Sequence, residues 1–337
     1  KTPAIEAIFT FDELGGSVSG MSFGDNAICI YSRESYLIVD FEWNIIFRHL
    51  IDNPDIKDDS SFINQTIYRN GVFYLLIFDH SIRKSYIIAQ PEADQPQYGE
   101  LICKEIRSFD VIEKDFLLAG LDERLLPWIA RTTSCGKVVW ENRQGIKNFI
   151  PSYCTFYDEK VYTISSNPYE TAFCITMLKP TGQELAKKEF KLSDSPLRTN
   201  SSRFDVFCVN TSLQGIALFG QQMSNDNCLG VFVLLDNELH VIANKVYENY
   251  SRIQSAVRNN NQYRLLALPN TRLGLDKRKY IIDESGVALL ALESQDSSIN
   301  SIGLVSDMVA NHYLFGLLYS ADRPTSPSVF ISRITLK

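Results

Sequence analysis

The chain has 337 residues, 45% hydrophobic and 12% aromatic, which excludes disorder and provides for a large core. Its formal net charge is −7, so general binding to phosphate backbones is disfavoured unless a local basic patch exists. No run approaches the roughly 18 apolar residues of a spanning helix.

The first segment, Ala4–Phe11 (AIEAIFTF), reads as a strand with no turn partner nearby. Strongly apolar runs then recur along the chain. They begin near Asn26 (NAICIYS), Gly71 (GVFYLLIFD), Asp115 (DFLLAGLD), Lys160 (KVYTISSN), Gly215 (GIALFGQQ), Tyr263 (YRLLALPN) and His312 (HYLFGLLYS). The gaps between them lie between 44 and 55 residues, close to the roughly 40–50 residues of a four-stranded propeller blade. Each run is preceded by a weaker strand such as Ser61–Tyr68, Asn148–Phe156 or Ser301–Val305. Each is followed by a polar loop and another strand (YLIVDF, SYIIAQ, PWIARTT, AFCITML, VFVLLD, KRKYIID, SVFISRI), then a turn and a further apolar segment. Gly or Asn in those turns, as in Cys135-Gly136-Lys137 or Asp236-Asn237-Glu238-Leu239, supplies the positive φ of a tight hairpin.

The pattern predicts an all-β fold, a seven-bladed β-propeller of four-stranded antiparallel blades in one domain, 1–337. The blades fall near 14–51, 60–106, 107–147, 148–192, 200–247, 250–293 and 299–337. The last of these has only three strands of its own. Pairing Ala4–Phe11 onto it completes the blade, closes the ring and removes two exposed edges. Helix signals are poor. Leu185–Leu192 (LAKKEFKL) has helical composition but stands where an outer strand is due, while Asp52–Ser61 and Ser193–Ser202 read as loop excursions.

The turn Gly136-Lys137-Val138-Val139-Trp140-Glu141 resembles the G-K-x-x-W-x turn of the quinoprotein (PQQ)-like propeller repeat, and Gly182-Gln183-Glu184-Leu185 is a weaker echo. The Trp-Asp dipeptide of WD repeats and the double glycine of kelch repeats are absent. The resemblance implies a propeller of the broad WD40/quinoprotein-like type. It does not imply a quinone cofactor, because no ring of cofactor-binding residues accompanies it, and no cofactor is expected.

Motifs with catalytic meaning are sparse. Gly20-Met21-Ser22-Phe23-Gly24 matches G-x-S-x-G, but a strand follows where a nucleophile elbow needs a helix. His49, His80, His240 and His312 lie far apart, with no partner at metal or triad spacing. Ser224–Asn227 and Asp55–Asp59 lack the residues that complete an Asp-box or a calcium loop. The seven cysteines are odd in number and form no C-x-x-C, so neither a zinc site nor a disulfide framework is expected. Catalytic and metal-binding residues are therefore expected to be none.

One pattern stands out against the negative net charge. The loops between the second and third strands of five blades carry Arg33, Arg83 with Lys84, Arg124, Arg272 and Arg323. Such residues can hold an anionic ligand or an acidic peptide through charge-assisted hydrogen bonds. The expected function is a non-enzymatic protein–protein interaction or scaffold module. The alternative is a propeller enzyme or small-molecule binder (hydrolase, lyase or quinoprotein-like) with a site near the central channel. The inner strands NQTIYR, SYCTFY and IGLVSD carry few titratable groups, which favours the module. The expected partner is another protein or an acidic peptide. The N-terminal segment KTPAIEAIF has no signal-peptide pattern, so a cytoplasmic location is expected unless a leader or anchor was removed before Lys1.

Overall fold

A computed structural model describes residues 4–11, 13–14, 18–51, 61–79, 84–92, 94–99, 105–143, 149–167, 172–191, 203–224, 227–259, 262–270, 278–292, 299–307, 311–320 and 323–335. Among them there are twenty-eight strands and no helix. The chain opens with β1 (Ala4–Phe11). The first blade is β2 (Gly20–Phe23), β3 (Ile28–Tyr31), β4 (Ser35–Val39) and β5 (Ile45–Leu50). The second is β6 (Ser61–Arg69), β7 (Val72–Asp79), β8 (Lys84–Pro91) and β9 (Gln97–Tyr98). The third is β10 (Glu105–Ile112), β11 (Asp115–Leu121), β12 (Pro127–Thr132) and β13 (Val138–Asn142). The fourth is β14 (Ile150–Tyr157), β15 (Lys160–Ser166), β16 (Ala172–Leu178) and β17 (Glu184–Lys191). The fifth is β18 (Arg203–Ser212), β19 (Gly215–Ser224), β20 (Asn227–Leu235) and β21 (Val241–Tyr247). The sixth is β22 (Tyr250–Asn259), β23 (Gln262–Pro269), β24 (Lys279–Asp283) and β25 (Ala288–Leu292). The last is β26 (Ile299–Ser306), β27 (His312–Ser320) and β28 (Arg323–Thr335), and β1 is its fourth strand, in the order β1-β28-β27-β26. These are the seven four-stranded antiparallel blades of a β-propeller, with the N-terminal strand completing the final one.

The strands differ by position within a blade. All seven residues of β16 are buried, and so are the last six of β11, because both faces of these strands are covered. Such strands read as continuous apolar runs rather than alternations. The outermost strands alternate. In β17, Lys187 and Glu189 are exposed while Phe190 is buried. That explains why Leu185–Lys191, helical by composition, folds as a strand: tertiary packing of its one apolar face overrides propensity.

Two compact units share the chain: residues 1–75, 89–96 and 253–337 form one, and 76–88 and 97–252 the other. In the first, β1 pairs with β28 from Ala4↔Thr335 to Phe11↔Val329. Phe11, Leu14, Met21, Phe23 and Ile28 pack with Tyr313, Phe315, Val329 and Ile331 in one cluster, so the final blade is cemented to the first by side chains as well as by the backbone. In the second unit, Phe173 stacks on Phe190 at 4.8 Å and meets Phe204 of the following blade at 5.4 Å. Burying each such ring contributes about 2–3 kcal/mol. Polar clamps tie the blades together as well. Ser108 Oγ accepts from Cys154 N at 3.2 Å, and buried Asp110 accepts from Thr155 Oγ1 at 2.9 Å and Phe156 N at 2.8 Å.

The turns entering the outer strands share one device. In Asp40–Asn44, Thr133–Lys137, Lys179–Gln183, Asp236–His240 and Asp283–Val287 the first residue's N–H donates to the fifth residue's carbonyl. In each, the fourth residue has positive φ. Gly136, Gly182 and Gly286 do this at little cost, but Trp43 (φ 70) and Leu239 (φ 64) fill the same place in the other two. The expectation that Gly or Asn supplies the positive φ is thus corrected for the Asp236 turn, where Leu239 does so and not Asn237. A β-carbon there costs about 1–2 kcal/mol. It is offset because Leu239 is fully buried in the core of its unit, and Trp43 packs at 6.0 Å from Tyr313.

Candidate functional site

A concavity lies wholly in the second unit, on the first and second strands of its blades and on Arg252 of β22. Its volume is about 560 Å³, and it is lined from β10 by Arg107, from β14 by Ile150 and Ser152, from β15 by Ser166, from β18 by Asp205, Val206 and Phe207, from β19 by Gln221 and from β22 by Arg252.

A repeated backbone irregularity aims these side chains. The register of β10 against β11 slips between Ile106 and Ser108, that of β14 against β15 between Pro151 and Tyr153, and that of β18 against β19 between Val206 and Cys208. The extra residues are Arg107, Ser152 and Phe207. A bulge re-aims the side chain it carries, and all three line the cavity. Across from two of the bulges stand Gly120 and Gly220, where a β-carbon would collide with the carbonyl oxygens of Glu105 and Asp205. The close approach of the two backbones there requires glycine.

The charges at the site balance in two pairs, Arg107 with Glu105 and Arg252 beside Asp205. Glu105 holds the Arg107 guanidinium at 3.0 Å. Gln221 Nε2 donates to Asp205 Oδ2 at 3.2 Å. Arg252 has its guanidinium carbon 3.7 Å above the centre of the Phe207 ring. Burial pulls the Arg252 pKa down, and the nearby Asp205 carboxylate opposes that shift. Two polar atoms of the lining, Arg252 Nε and Ser166 Oγ, are shut away from solvent with no hydrogen-bond partner among the described residues. An unsatisfied buried donor costs about 1–3 kcal/mol.

Among the described residues, none of those singled out from sequence lines this cavity. Arg33 is exposed in the loop between β3 and β4, its guanidinium 5.6 Å from the Phe62 ring centre. Lys84 is the half-buried first residue of β8. Arg124 is exposed in the loop after β11, where its N–H donates to Asp122 Oδ1 at 2.8 Å. Arg323 begins β28, but its side chain lies outside the described set; Arg83 and Arg272 lie outside the described residues altogether, as do His80 and Asp55–Asp59. Sequence reasoning passed over Arg107, Asp205 and Arg252 because it weighed the poorly charged inner strands. The signal was present: Arg107, Ser152 and Phe207 sit at matching places in successive repeats.

Other chemistry-bearing groups have structural explanations. Gly20–Gly24 runs from β2 through a turn into β3, not into a helix. His312 is buried with Nδ1 2.7 Å from Ser306 Oγ, and burial lowers its pKa. His49 packs 6.0 Å from Phe47 and is lowered by the same cause. Asp236, Glu238 and His240 bring ligand atoms within 4.8 Å of one another. Yet Asp236 Oδ1 is occupied by the Glu238 and His240 amides, and its Oδ2 by the His240 ring at 3.2 Å, so the cluster is a turn lock. Burial pushes up the thiols of Cys29, Cys154 and Cys174, which leaves them unreactive.

No family model matches the chain, and no curated protein matches it in sequence. Solved structures do match. The WD40 domain of Neurospora crassa Pan2 aligns with a TM-score of 0.61 at 11% identity, covering 98% of this chain and 95% of that one. A structure of Drosophila Plexin A in complex with Semaphorin 1b aligns with 0.59 at 8% identity, covering 99% and 88%. The computationally designed protein Ika8 aligns with 0.55 at 11% identity, covering 93% and 86%. Identities this low carry the fold and nothing finer: the chain is a seven-bladed β-propeller similar to WD40 domains.

Proposed function

We propose that this protein is a non-enzymatic interaction module whose cavity, on the inner strands of the second unit, receives an acidic segment of a partner protein. One observation carries the reading: Arg252, laid on the Phe207 ring at 3.7 Å, and Arg107 both line a cavity of about 560 Å³. A cation so placed is poised for an acceptor, and its aromatic backing fixes its orientation beforehand. Arg33, Lys84 and Arg124, each on its own blade, are further candidate contacts for acidic groups. Nucleic acid fits poorly with a net charge of −7.

A second reading has support of its own. The cavity volume falls within the roughly 300–1,000 Å³ of small-molecule sites. Affinity capture from the native source with wild type and Arg252→Met, matched for thermal stability, decides between the two. A partner held by wild type and lost by the variant supports the module. Equal capture by both removes the cavity from the interaction, and a small molecule released from purified wild type on denaturation supports the second reading.

A further inference from the structure

The charges at the cavity cancel in pairs, Arg107 with Glu105 at 3.0 Å and Arg252 beside Asp205, so a charged occupant has no advantage there over a neutral one. What the cavity offers instead is an open aromatic surface. Phe207, the extra residue of the β18 bulge, is 37% exposed although the Arg252 guanidinium carbon lies 3.7 Å above its ring centre. One face of the ring is covered, so the exposure belongs to its other face and its edge. Ile150 and Val206 add apolar wall to the same lining. We propose that the cavity takes a neutral aromatic ring carrying one hydrogen-bond donor, an indole or a phenol. This rests on the reading that the cavity is the binding site, and it names the kind of side chain that enters.

Chemistry selects that class. A cation over one face draws the electron density of the Phe207 ring toward itself, so the far face favours an electron-rich ring over an aliphatic group. Half-buried Ser152 Oγ gives its hydrogen to Ile164 O at 3.2 Å, so toward the cavity it acts as an acceptor. An indole N–H or a phenol O–H supplies the matching donor, and a phenyl ring does not. The volume of about 560 Å³ holds such a ring with the chain that bears it. Within an acidic partner segment the aromatic residue is then the one that enters, because a carboxylate among these pairs would meet Asp205 as well as the arginines. The ring can come from a peptide side chain or from a free aromatic compound, since both present the same group.

Calorimetric titration of the purified chain tests this with four probes: indole and the N-acetyl amides of tryptophan, phenylalanine and leucine. The expected result is saturable binding of indole or of the tryptophan amide, at least tenfold tighter than the leucine amide and at least threefold tighter than the phenylalanine amide. Indole binding as tightly as the tryptophan amide, or more so, marks a free compound as the source, and a tighter amide marks a peptide. Phe207→Leu, a change at an exposed position, should weaken the indole-bearing probes at least tenfold, while Phe207→Tyr should keep them. Ser152→Ala should erase the preference for tryptophan over phenylalanine. No saturable binding of either indole-bearing probe overturns the proposal. So does a leucine amide bound as tightly, a Phe207→Leu variant indistinguishable from wild type, or a tryptophan preference that survives Ser152→Ala. Partner capture that depends on Arg252 while no indole-bearing probe binds would defeat this inference and leave the module standing. Indole binding with capture unaffected by Arg252→Met would do the reverse.

Discussion

Trp140 of the third blade lies against Gly182 in the turn of the fourth. Its Nε1 donates to Pro180 O at 2.8 Å, and a β-carbon at Gly182 would stand 2.7 Å from the indole ring. Arg131 Nη1 reaches the same carbonyl at 3.2 Å. The tryptophan that carries the quinoprotein-like resemblance is thus a strut between neighbouring blades, and the glycine beyond it is the seat it needs.

Gly182→Ala should therefore destabilise the protein by about 2–4 kcal/mol, combining a φ of +87° with the collision against Trp140. Trp140→Ala removes the collision, so the double variant should lose less than the sum of the two single variants. Urea denaturation of all four proteins checks this; strict additivity would show that the contact is not felt.

Leu239 sits in a left-handed conformation, yet it is fully buried. Turn chemistry alone predicts that Leu239→Gly stabilises by about 1 kcal/mol. The packing predicts the opposite, a net loss of about 2–4 kcal/mol from the vacated core volume. The sign of the change in urea midpoint decides which of the two governs this turn.

Asp110 gathers donors from Val111 N, Thr155 Oγ1 and Phe156 N while itself buried. Asp110→Ala strands the two donors of the next blade, and about 2–4 kcal/mol of stability should be lost. Hydrogen exchange at Phe156 should accelerate along with it. An unchanged exchange rate there would show that the clamp is not what protects that amide.

His312 is kept neutral by burial, against the pull of Asp307 and with the help of Arg264. Its folded pKa lies below the ordinary 6.5, so above that pH both states are neutral and it contributes no slope. As pH falls below about 6.5 the unfolded chain takes up the proton first, and stability declines until the depressed folded pKa is reached. His49 acts in the same direction. His312→Gln should flatten the decline below about pH 6.5 relative to wild type. Denaturation midpoints measured across that window give the comparison.

Much of this fold is legible in the chain because the second strand of each blade is covered on both faces. Such strands become the apolar runs from which the repeat was counted, and each of the seven runs is indeed a second strand, from β3 to β27. The unpartnered strand Ala4–Phe11 betrays its place for a related reason: the last blade lacks one. The cavity was harder to see. Strand parity assigns side chains to faces only while the ladder is regular, and Arg107, Ser152 and Phe207 are the residues at which it breaks. Arg252 gains its meaning from a ring on another blade, a relation no local pattern records. The exposed Arg33 and Arg124 advertised themselves by contrast with the net charge, but exposure in a loop is not convergence on a cavity.

The hydrogen bonds between β1 and β28 join residues 318 to 331 positions apart in the chain, from Phe11↔Val329 to Ala4↔Thr335. Until Val329 through Thr335 have left the ribosome, Ala4–Phe11 has no strand to lie beside. Ala4–Phe11 must therefore wait for β28, and that blade cannot be completed until residues 329–335 have been made. A topology of such long sequence separation folds slowly, and a nascent chain stalled before residue 329 would display two bare sheet margins where the finished protein has a seam.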